Sequence, residues 1–139
     1  MVKIVLADDH ALVREYVKDW LKEEPGLKVV GEASDGVEAV ELTTRLKPDI
    51  LVTDLKMPHL NGIEVTKRIR QLSPDTHVIV LSLYGDKVYV DAALKAGARA
   101  YVLKKLSSDG LTDAINAVIA GEKYLSPPIS GNTTDFFDS

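Results

Sequence analysis

The sequence alternates regularly between short apolar runs and longer amphipathic stretches, and this alternation restricts the fold more than any other feature. Because the runs are short and rich in Val, Ile and Leu, each of them predicts a β-strand. All but the second are apolar almost throughout, which is typical of strands covered on both faces of a parallel sheet. The five runs are residues 2–7, 28–33, 49–53, 77–82 and 98–103.

The stretches between the runs have the periodicity of amphipathic helices, in which apolar residues recur on one face. We predict helices at about residues 12–22, 36–46, 61–72 and 86–96, and a fifth after residue 108. Capping residues support these limits: Asp35 or Ser34 and Asn61 suit N-caps, and Gly97 suits a helix C-terminus. The apolar face of the first helix comprises Leu12, Val13, Tyr16, Val17, Trp20 and Leu21, and that of the fifth Leu111, Ala114, Ile115, Val118 and Ile119.

Five β-α units in strict alternation predict an α/β fold, a doubly wound five-stranded parallel sheet with helices on both faces. A length of 139 residues suits one such domain. We place the domain at residues 1–124. Residues 125–139 contain two consecutive prolines followed by small polar residues, so we predict a linker or disordered tail there.

Composition narrows the classes of function. The chain has no cysteine, so disulfides, thiolate catalysis and cysteine-based metal sites are excluded. A formal net charge of −4 argues against a basic nucleic-acid-binding face on this domain. The first residues do not resemble a signal peptide, and no apolar run is long enough for a membrane span. We therefore expect a cytoplasmic protein that does not contact a membrane.

Polar residues follow four of the predicted strands at their carboxyl ends, where open parallel sheets bind ligands. Asp8 and Asp9 follow the first strand, Asp54 follows the third, Ser82 ends the fourth and Lys104 follows the fifth. Carboxylates gathered at one edge repel one another, and a divalent cation removes that repulsion. Mg²⁺ prefers such hard oxygen ligands. The pattern thus predicts a Mg²⁺ site held by Asp8, Asp9 and Asp54.

The same set of residues is a minimal site for phosphoryl transfer. A metal ion and a lysine neutralise phosphoryl oxygens while a carboxylate attacks in line. We assign Asp54 as the nucleophile because it stands alone, whereas the adjacent Asp8 and Asp9 suit metal ligation. Lys104 and the Ser82 hydroxyl would each donate to a phosphoryl oxygen.

Four motifs carry a resemblance to a known family. They are VLADDH (residues 5–10), DILVTDLKMPHLNG (49–62), VIVLS (78–82) and AYVLKK (100–105). With these motifs the chain resembles the receiver domain of bacterial two-component response regulators over about residues 1–126. Its segments LADDHALVRE, VVGEASDG, AGARAYVLK and GEKYLSP are similar to the NarL/LuxR-type branch, whose members commonly carry a DNA-binding helix-turn-helix domain after the receiver.

The resemblance implies a flavodoxin-like sheet with strand order 2-1-3-4-5 and a phosphorylated aspartate. Asp54 is the implied phosphoacceptor. Asp9 is expected to bind Mg²⁺ directly, Asp8 mainly through water, and the backbone carbonyl of Lys56 as a further ligand. A sensor histidine kinase is the implied phosphoryl donor, so the protein is expected to be a signalling module that catalyses only its own phosphorylation and dephosphorylation.

The resemblance also implies a switch. Ser82 would turn toward the phosphoryl group, and Tyr101, at the family's switch-aromatic position, would rotate inward. The changed surface could support a homodimer, and DNA would be bound only through a C-terminal domain that these 139 residues do not include. Lys105 stands where many receivers have proline, so we make no prediction for that peptide bond.

Several alternatives are weighed against this interpretation. A haloacid-dehalogenase-type phosphatase needs a second aspartate two residues after the nucleophile, where this chain has Lys56. A pseudo-receiver that binds partners without phosphorylation usually lacks an acid or the lysine, and a flavin carrier would not have an acidic loop after its first strand. The chain could also be a stand-alone receiver. The three histidines are scattered and suit surface roles, although His10 adjoins the acids.

Overall fold

Six parallel strands form one sheet in the computed structural model, which describes residues 1–104 and 109–126. The strand order is β2-β1-β3-β4-β5-β6. This confirms the predicted doubly wound α/β fold and the order of its first five strands. The strands are β1 (Val2–Ala7), β2 (Leu27–Ala33), β3 (Ile50–Thr53), β4 (His77–Ser82), β5 (Ala100–Leu103) and β6 (Tyr124–Leu125).

The five predicted helices are present, and two of them begin with the predicted caps. The carboxylate of Asp35 accepts the Glu38 N–H at 2.8 Å, and the Asn61 side chain accepts the Glu64 N–H at 2.9 Å. Gly97 ends the fourth helix in a left-handed conformation with φ of 119°. The helices are α1 (Ala11–Lys22), α2 (Gly36–Leu46), α3 (Gly62–Leu72), α4 (Lys87–Ala96) and α5 (Asp109–Ile119).

Both faces of the sheet are covered, which explains the continuous apolar runs. One face packs against α1 and α5 through residues such as Val17, Leu21 and Ile115. The other face packs against α2 and α3 through Ala39 and Ile69, among others. The strand that was least apolar in sequence, β2, lies at the edge of the sheet, where its side chains are mostly only partly buried.

The sixth strand was not predicted. Tyr124 and Leu125 pair in parallel with Ala100 and Tyr101 of β5. Leu125 and Ser126, which the sequence analysis placed in the tail, are 5% and 2% exposed, and the Ser126 hydroxyl accepts the N–H of Leu103 at 2.9 Å. Two residues followed by Ser-Pro-Pro are too short for a strand pattern, so only the neighbouring edge of β5 reveals this pairing.

Three residues of the predicted apolar helix faces are not buried. Leu12 and Tyr16 of α1 are 71% and 58% exposed, and Ile119 of α5 is 49% exposed. The apolar stripe of each helix is wider than the surface that the sheet and the neighbouring helix cover. Lys105, Ser107 and Ser108 lie outside the described residues. In the described part of the chain no helix is long and apolar enough to span a membrane.

Candidate functional site

The carboxyl edge of the sheet brings the acids of β1 and β3 together. Asp8 and Asp54 are 2% and 6% exposed, although both are carboxylates. The backbone N–H of Asp54 donates to the Ala7 carbonyl at 2.9 Å, which fixes the end of β3 beside the end of β1. Asp9 is more open, with a side chain 29% exposed. The side-chain ligand atoms of Asp8, Asp9, His10 and Asp54 all lie within 4.8 Å of one another.

Lys104 joins the two buried acids. Its Nζ lies 2.9 Å from Asp8 Oδ2 and 3.0 Å from Asp54 Oδ2, and the side chain is 12% exposed. Lys104 directly follows β5. Its backbone N–H donates to the carbonyl of Ser82 at 2.7 Å, which fixes Lys104 beside the end of β4 and lets its side chain reach both acids. The predicted convergence of Asp8, Asp54 and Lys104 is therefore present in the structure.

Burial and mutual repulsion disfavour the charged forms of Asp8 and Asp54, and the ammonium of Lys104 favours them. Burial raises the pKa of Asp54, Lys104 opposes this, and the nearby Asp8 adds to it. Burial lowers the pKa of Lys104, but its hydrogen bonds with Asp8 and Asp54 outweigh that effect and raise the pKa overall. Lys104 thus remains an ammonium, which is one positive charge against three carboxylates.

The Asp54 carboxylate is held by both of its oxygens. Oδ1 accepts the backbone N–H of Leu55 at 2.7 Å, and Oδ2 accepts from Lys104 at 3.0 Å. These bonds orient the carboxylate. Its oxygens keep further lone pairs, which remain available at the edge of the sheet. Asp54 can therefore act as a positioned oxygen nucleophile or as a metal ligand.

Hard oxygen donors grouped in this way fit a divalent cation such as Mg²⁺. The donor set comprises the carboxylates of Asp8, Asp9 and Asp54. Their charge exceeds that of Lys104, so a further cation would be attracted. The carbonyl of Lys56, which the sequence analysis added as a ligand, belongs to the loop between β3 and α3 and stays a prediction.

Ser82 and Tyr101 lie behind the acids and are joined through one loop residue. Ser82 is fully buried, and its hydroxyl accepts the N–H of Tyr84 at 3.0 Å. The Tyr101 hydroxyl donates to the Tyr84 carbonyl. Tyr101 is also fully buried, so its ring already has the inward position that the family resemblance implies only after Ser82 moves. The ring therefore cannot make the predicted inward rotation from the position that it has in this structure.

Lys56 does not point at the acids in this conformation. Its Nζ lies 4.2 Å from the centre of the Tyr84 ring and 5.4 Å from that of Tyr89, and the two rings meet edge to face at 5.8 Å. Cation–π contacts of this kind are worth about 0.5–1 kcal/mol at exposed sites. Nothing in the sequence pattern predicts this contact.

Gly62 and Gly36 support the loop after β3, a role that the sequence analysis missed. A Cβ at Gly62 would lie 2.3 Å from the carbonyl oxygen of Asp54, and one at Gly36 would lie 2.1 Å from that of Leu60. The N–H of Gly62 donates to the Leu55 carbonyl at 2.7 Å. The "NG" pair at the start of α3 was interpreted only as a cap, although glycine there also admits close backbone approach.

Gly62→Ala is expected to lower the free energy of unfolding by about 3 kcal/mol, because the methyl group must push the backbone of Asp54 aside. Denaturant titration measures this change. Gly110→Ala in α5 is a matched control, since its Cβ would meet Val102 at an ordinary 3.4 Å. We expect that variant to be as stable as the wild type or about 0.5–1 kcal/mol more stable. Equal stability of Gly62→Ala and wild type would contradict the close packing.

The pKa of Tyr101 should distinguish it from exposed tyrosines in a titration. Burial raises the pKa of Tyr101 to about 12, with Ser82 opposing and Asp54 adding to the shift. Since the native state keeps this proton more tightly than the unfolded state, the associated stability is present below pH about 10 and is lost as the pH rises toward about 12. Absorbance titration of tyrosinate is expected to show a late component that Tyr101→Phe removes. Burial also raises the pKa of Tyr124, so the comparison is made in a Tyr124→Phe background, where a component near pH 12 that persists after Tyr101→Phe would contradict the assignment.

Comparison with known proteins agrees with this geometry. The response regulator receiver domain model matches residues 4–116. The chain is 42% identical over 131 residues to the transcriptional regulatory protein DegU of Brevibacillus brevis, covering 94% of this chain and 56% of DegU. It is 38% identical over 127 residues to the nitrate/nitrite response regulator protein NarL of Escherichia coli (strain K12), covering 91% of this chain and 59% of NarL.

A solved structure gives the same result. The structure of a LuxR-family two-component response regulator from Aurantimonas sp. SI85-9A1 matches with a TM-score of 0.91 and 36% identity, covering 97% of this chain and 96% of that one. The chain spans less than two thirds of the length of DegU and NarL. The chain belongs to the response regulator receiver domain family, and the relatives that it matches are regulators of the NarL/LuxR type.

Proposed function

We propose that this receiver accepts a phosphoryl group on Asp54 in a Mg²⁺-dependent reaction, with a sensor histidine kinase as the physiological donor. One observation carries the proposal: the Lys104 ammonium bridges two nearly buried carboxylates, Asp8 and Asp54, at the carboxyl edge of the sheet. Surface lysines rarely hold two buried acids, and phosphoryl transfer needs this combination of nucleophile and cation.

Asp54 supplies the nucleophile. One of its carboxylate oxygens forms the new O–P bond, while the bond between phosphorus and the donor's imidazole nitrogen breaks and the donor keeps the electron pair. The N–H of Leu55 at 2.7 Å and the Lys104 ammonium at 3.0 Å orient the carboxylate for this attack. Lys104 can then follow the charge to a phosphoryl oxygen, since its Nζ already reaches Oδ2 of Asp54.

Asp8, Asp9 and Asp54 would hold the metal ion, with the carbonyl of Lys56 as a further ligand. Mg²⁺, when bound, supplies positive charge that neutralises phosphoryl oxygens. The fit of these donors supports the proposal because their three negative charges are opposed by one lysine. Asp9 has the most accessible of the three carboxylates, which suits direct ligation.

Phosphorylation would act on the loop between β4 and α4 through Ser82. The Ser82 hydroxyl, which accepts from Tyr84, would turn to donate to a phosphoryl oxygen and release the Tyr84 N–H. The Tyr101 hydroxyl donates to the Tyr84 carbonyl. The loop between β4 and α4 would therefore move against the ring of Tyr101, which is already buried. The switch would then be a shift between two loop positions.

The wider function is that of a phosphorelay regulator. Relatives such as DegU and NarL are named as regulators and are longer than this chain, which supports an output through a separate DNA-binding domain. A structure named as two RcsB dimers bound to two parallel DNAs supports association of two copies of the chain. We place the protein in the cytoplasm, where receivers of this family meet their kinases, and assign it no catalytic role beyond its own phosphorylation and dephosphorylation.

Intact-mass spectrometry after incubation with acetyl phosphate tests the proposal. We expect a gain of about 80 Da per chain when Mg²⁺ is present, and no gain when a chelator removes the metal ion. Acetyl phosphate replaces the kinase, so the result does not depend on knowing the partner. A chain that gains no mass under either condition would instead be a pseudo-receiver that binds partners without phosphorylation.

A further inference from the structure

A cavity of about 260 Å³ lies at the amino edge of the sheet, the end opposite to the acids. It is formed where the loop after α3 meets the start of β4 and the residues that precede β5. Arg70, Arg99 and His77 line it together with Thr66 and Thr76. None of the described residues that line this cavity is acidic, so its charged side chains are all basic.

The two arginines are anchored by their surroundings. The stem of Arg70 lies over Gly97, where an added Cβ would be 3.1 Å from Arg70 Cδ. The Nη1 of Arg70 donates to the carbonyl of Lys95, near the end of α4, in a long bond of 3.4 Å. The backbone N–H of Arg99 donates to the Val78 carbonyl at 2.9 Å. Both side chains therefore extend from fixed positions at the border of one cavity.

Most of the hydrogen-bond donors of these arginines are unused. Among the described residues no acid forms an ion pair with Arg70 or Arg99. A guanidinium has five N–H donors, and the bond to Lys95 uses one of those of Arg70. The hydroxyls of Thr66 and Thr76 already donate to backbone carbonyls. The cavity thus offers guanidinium N–H groups to a ligand that can accept them.

The charge at His77 agrees with this arrangement. Burial lowers the pKa of His77, and Arg99 lowers it further, while Asp49 and Asp75 each raise it by less. The carboxylate of Asp49 accepts the backbone N–H of Lys3 at 2.8 Å and does not line the cavity. His77 is therefore neutral near pH 7, and its ring has one N–H that can donate to an anion.

We propose that this cavity binds a phosphate dianion, either free or as the end of a phosphate monoester, between the guanidinium groups of Arg70 and Arg99. Planar guanidinium groups match the oxygens of phosphate, and the dianion would relieve the repulsion between the two positive charges. Arg70 also borders a cleft between α3 and α4, lined in part by Ile63 and Ala92, which would take the organic group of an ester. The site is separate from the phosphoacceptor Asp54 and does not depend on its chemistry.

Isothermal titration calorimetry of the whole chain with inorganic phosphate, in the absence of Mg²⁺, tests the proposal. We expect binding at millimolar concentrations, and an affinity at least about 10-fold lower in Arg99→Gln, which removes a charged donor. Arg68→Gln is the matched control, because Arg68 is an exposed arginine of α3 that does not line the cavity. Phenyl phosphate distinguishes the two sources: tighter binding than that of inorganic phosphate identifies an ester as the ligand, and equal or weaker binding identifies free phosphate.

Nuclear magnetic resonance of the His77 ring gives a second readout that needs no variant. Phosphate is expected to raise the pKa of His77, because a bound dianion favours the imidazolium, and to leave the ring signals of His59 in place. In Arg99→Gln the pKa of His77 is expected to start higher and to respond less to phosphate. No binding by the wild type, unchanged affinity in both Arg70→Gln and Arg99→Gln, or a His77 pKa that phosphate leaves unchanged would overturn the site.

Discussion

Asp54→Asn is expected to gain no phosphoryl group from acetyl phosphate, in the presence or absence of Mg²⁺. The amide lacks the carboxylate oxygen that would form the bond to phosphorus, yet it keeps the shape of the side chain and an oxygen for the N–H of Leu55. Intact-mass spectrometry under the conditions used for the wild type measures the loss. Asp19→Asn, which changes an exposed acid of α1, is the matched control and is expected to be phosphorylated normally.

Loss of the fold does not account for this expected result. Burial raises the pKa of Asp54, so the native state binds that proton more tightly than the unfolded state. The stability linked to the proton is lost as the pH rises through the folded pKa, and at neutral pH the charged carboxylate disfavours folding. Asp54→Asn removes this effect, so its free energy of unfolding at neutral pH is expected to equal or exceed that of the wild type. Uptake of phosphoryl by a folded Asp54→Asn protein would contradict the assignment.

Lys104→Met is expected to slow phosphoryl uptake by about 100-fold, the usual cost of removing one donor that stabilises charge in the transition state. Methionine keeps much of the length of lysine but leaves the oxygens of Asp8 and Asp54 without the ammonium at 2.9 and 3.0 Å. The initial rate of mass gain from acetyl phosphate at saturating Mg²⁺ measures the effect, and Lys95→Met is the control. Lys95 forms an exposed pair with Asp91 on α4, so its loss is expected to leave the rate unchanged.

The same variant is expected to be less stable without metal ions. The buried carboxylates of Asp8 and Asp54 would lose the ammonium that bridges them. We expect this loss to lower the free energy of unfolding by about 2 kcal/mol. That figure is below the roughly 3–5 kcal/mol of fully buried pairs because the edge of the sheet is reached by water. Mg²⁺ is expected to restore part of the loss by replacing the missing positive charge. A Lys104→Met protein with wild-type uptake and stability would contradict the role of the bridge.

The order of strands and helices was predictable because burial on both faces of a parallel sheet leaves a direct trace in sequence. The limits of β1 and β4 coincide with the predicted runs, and the α2 and α3 caps with Asp35 and Asn61. The convergence of Asp8, Asp54 and Lys104 followed from the same rule, since parallel strands deliver their carboxyl ends to one edge. The sequence predicts that these side chains lie close together, but it does not give the distances between them.

What the sequence could not supply depends on neighbours that are remote in the chain. Helical periodicity shows that Leu12 and Tyr16 share a face of α1, but the width of the covering surface decides that both are exposed. Leu125 has no strand pattern of its own and needs the edge of β5. The position of Tyr101 depends on the Tyr84 carbonyl, and the need for glycine at position 62 depends on the backbone of Asp54.

The most direct measurement of the central claim is the position of the acyl phosphate in the wild-type chain. Borohydride reduces an aspartyl phosphate to homoserine, and peptide mapping after treatment with acetyl phosphate and Mg²⁺ locates the reduced residue. We predict homoserine at position 54, with Asp8 and Asp9 unchanged, because Asp54 is the proposed nucleophile, oriented by the N–H of Leu55 and by Lys104, whereas Asp8 and Asp9 would hold the metal ion. Homoserine at position 8 or 9, or no reduced residue in protein that has gained the phosphoryl mass, would contradict the account.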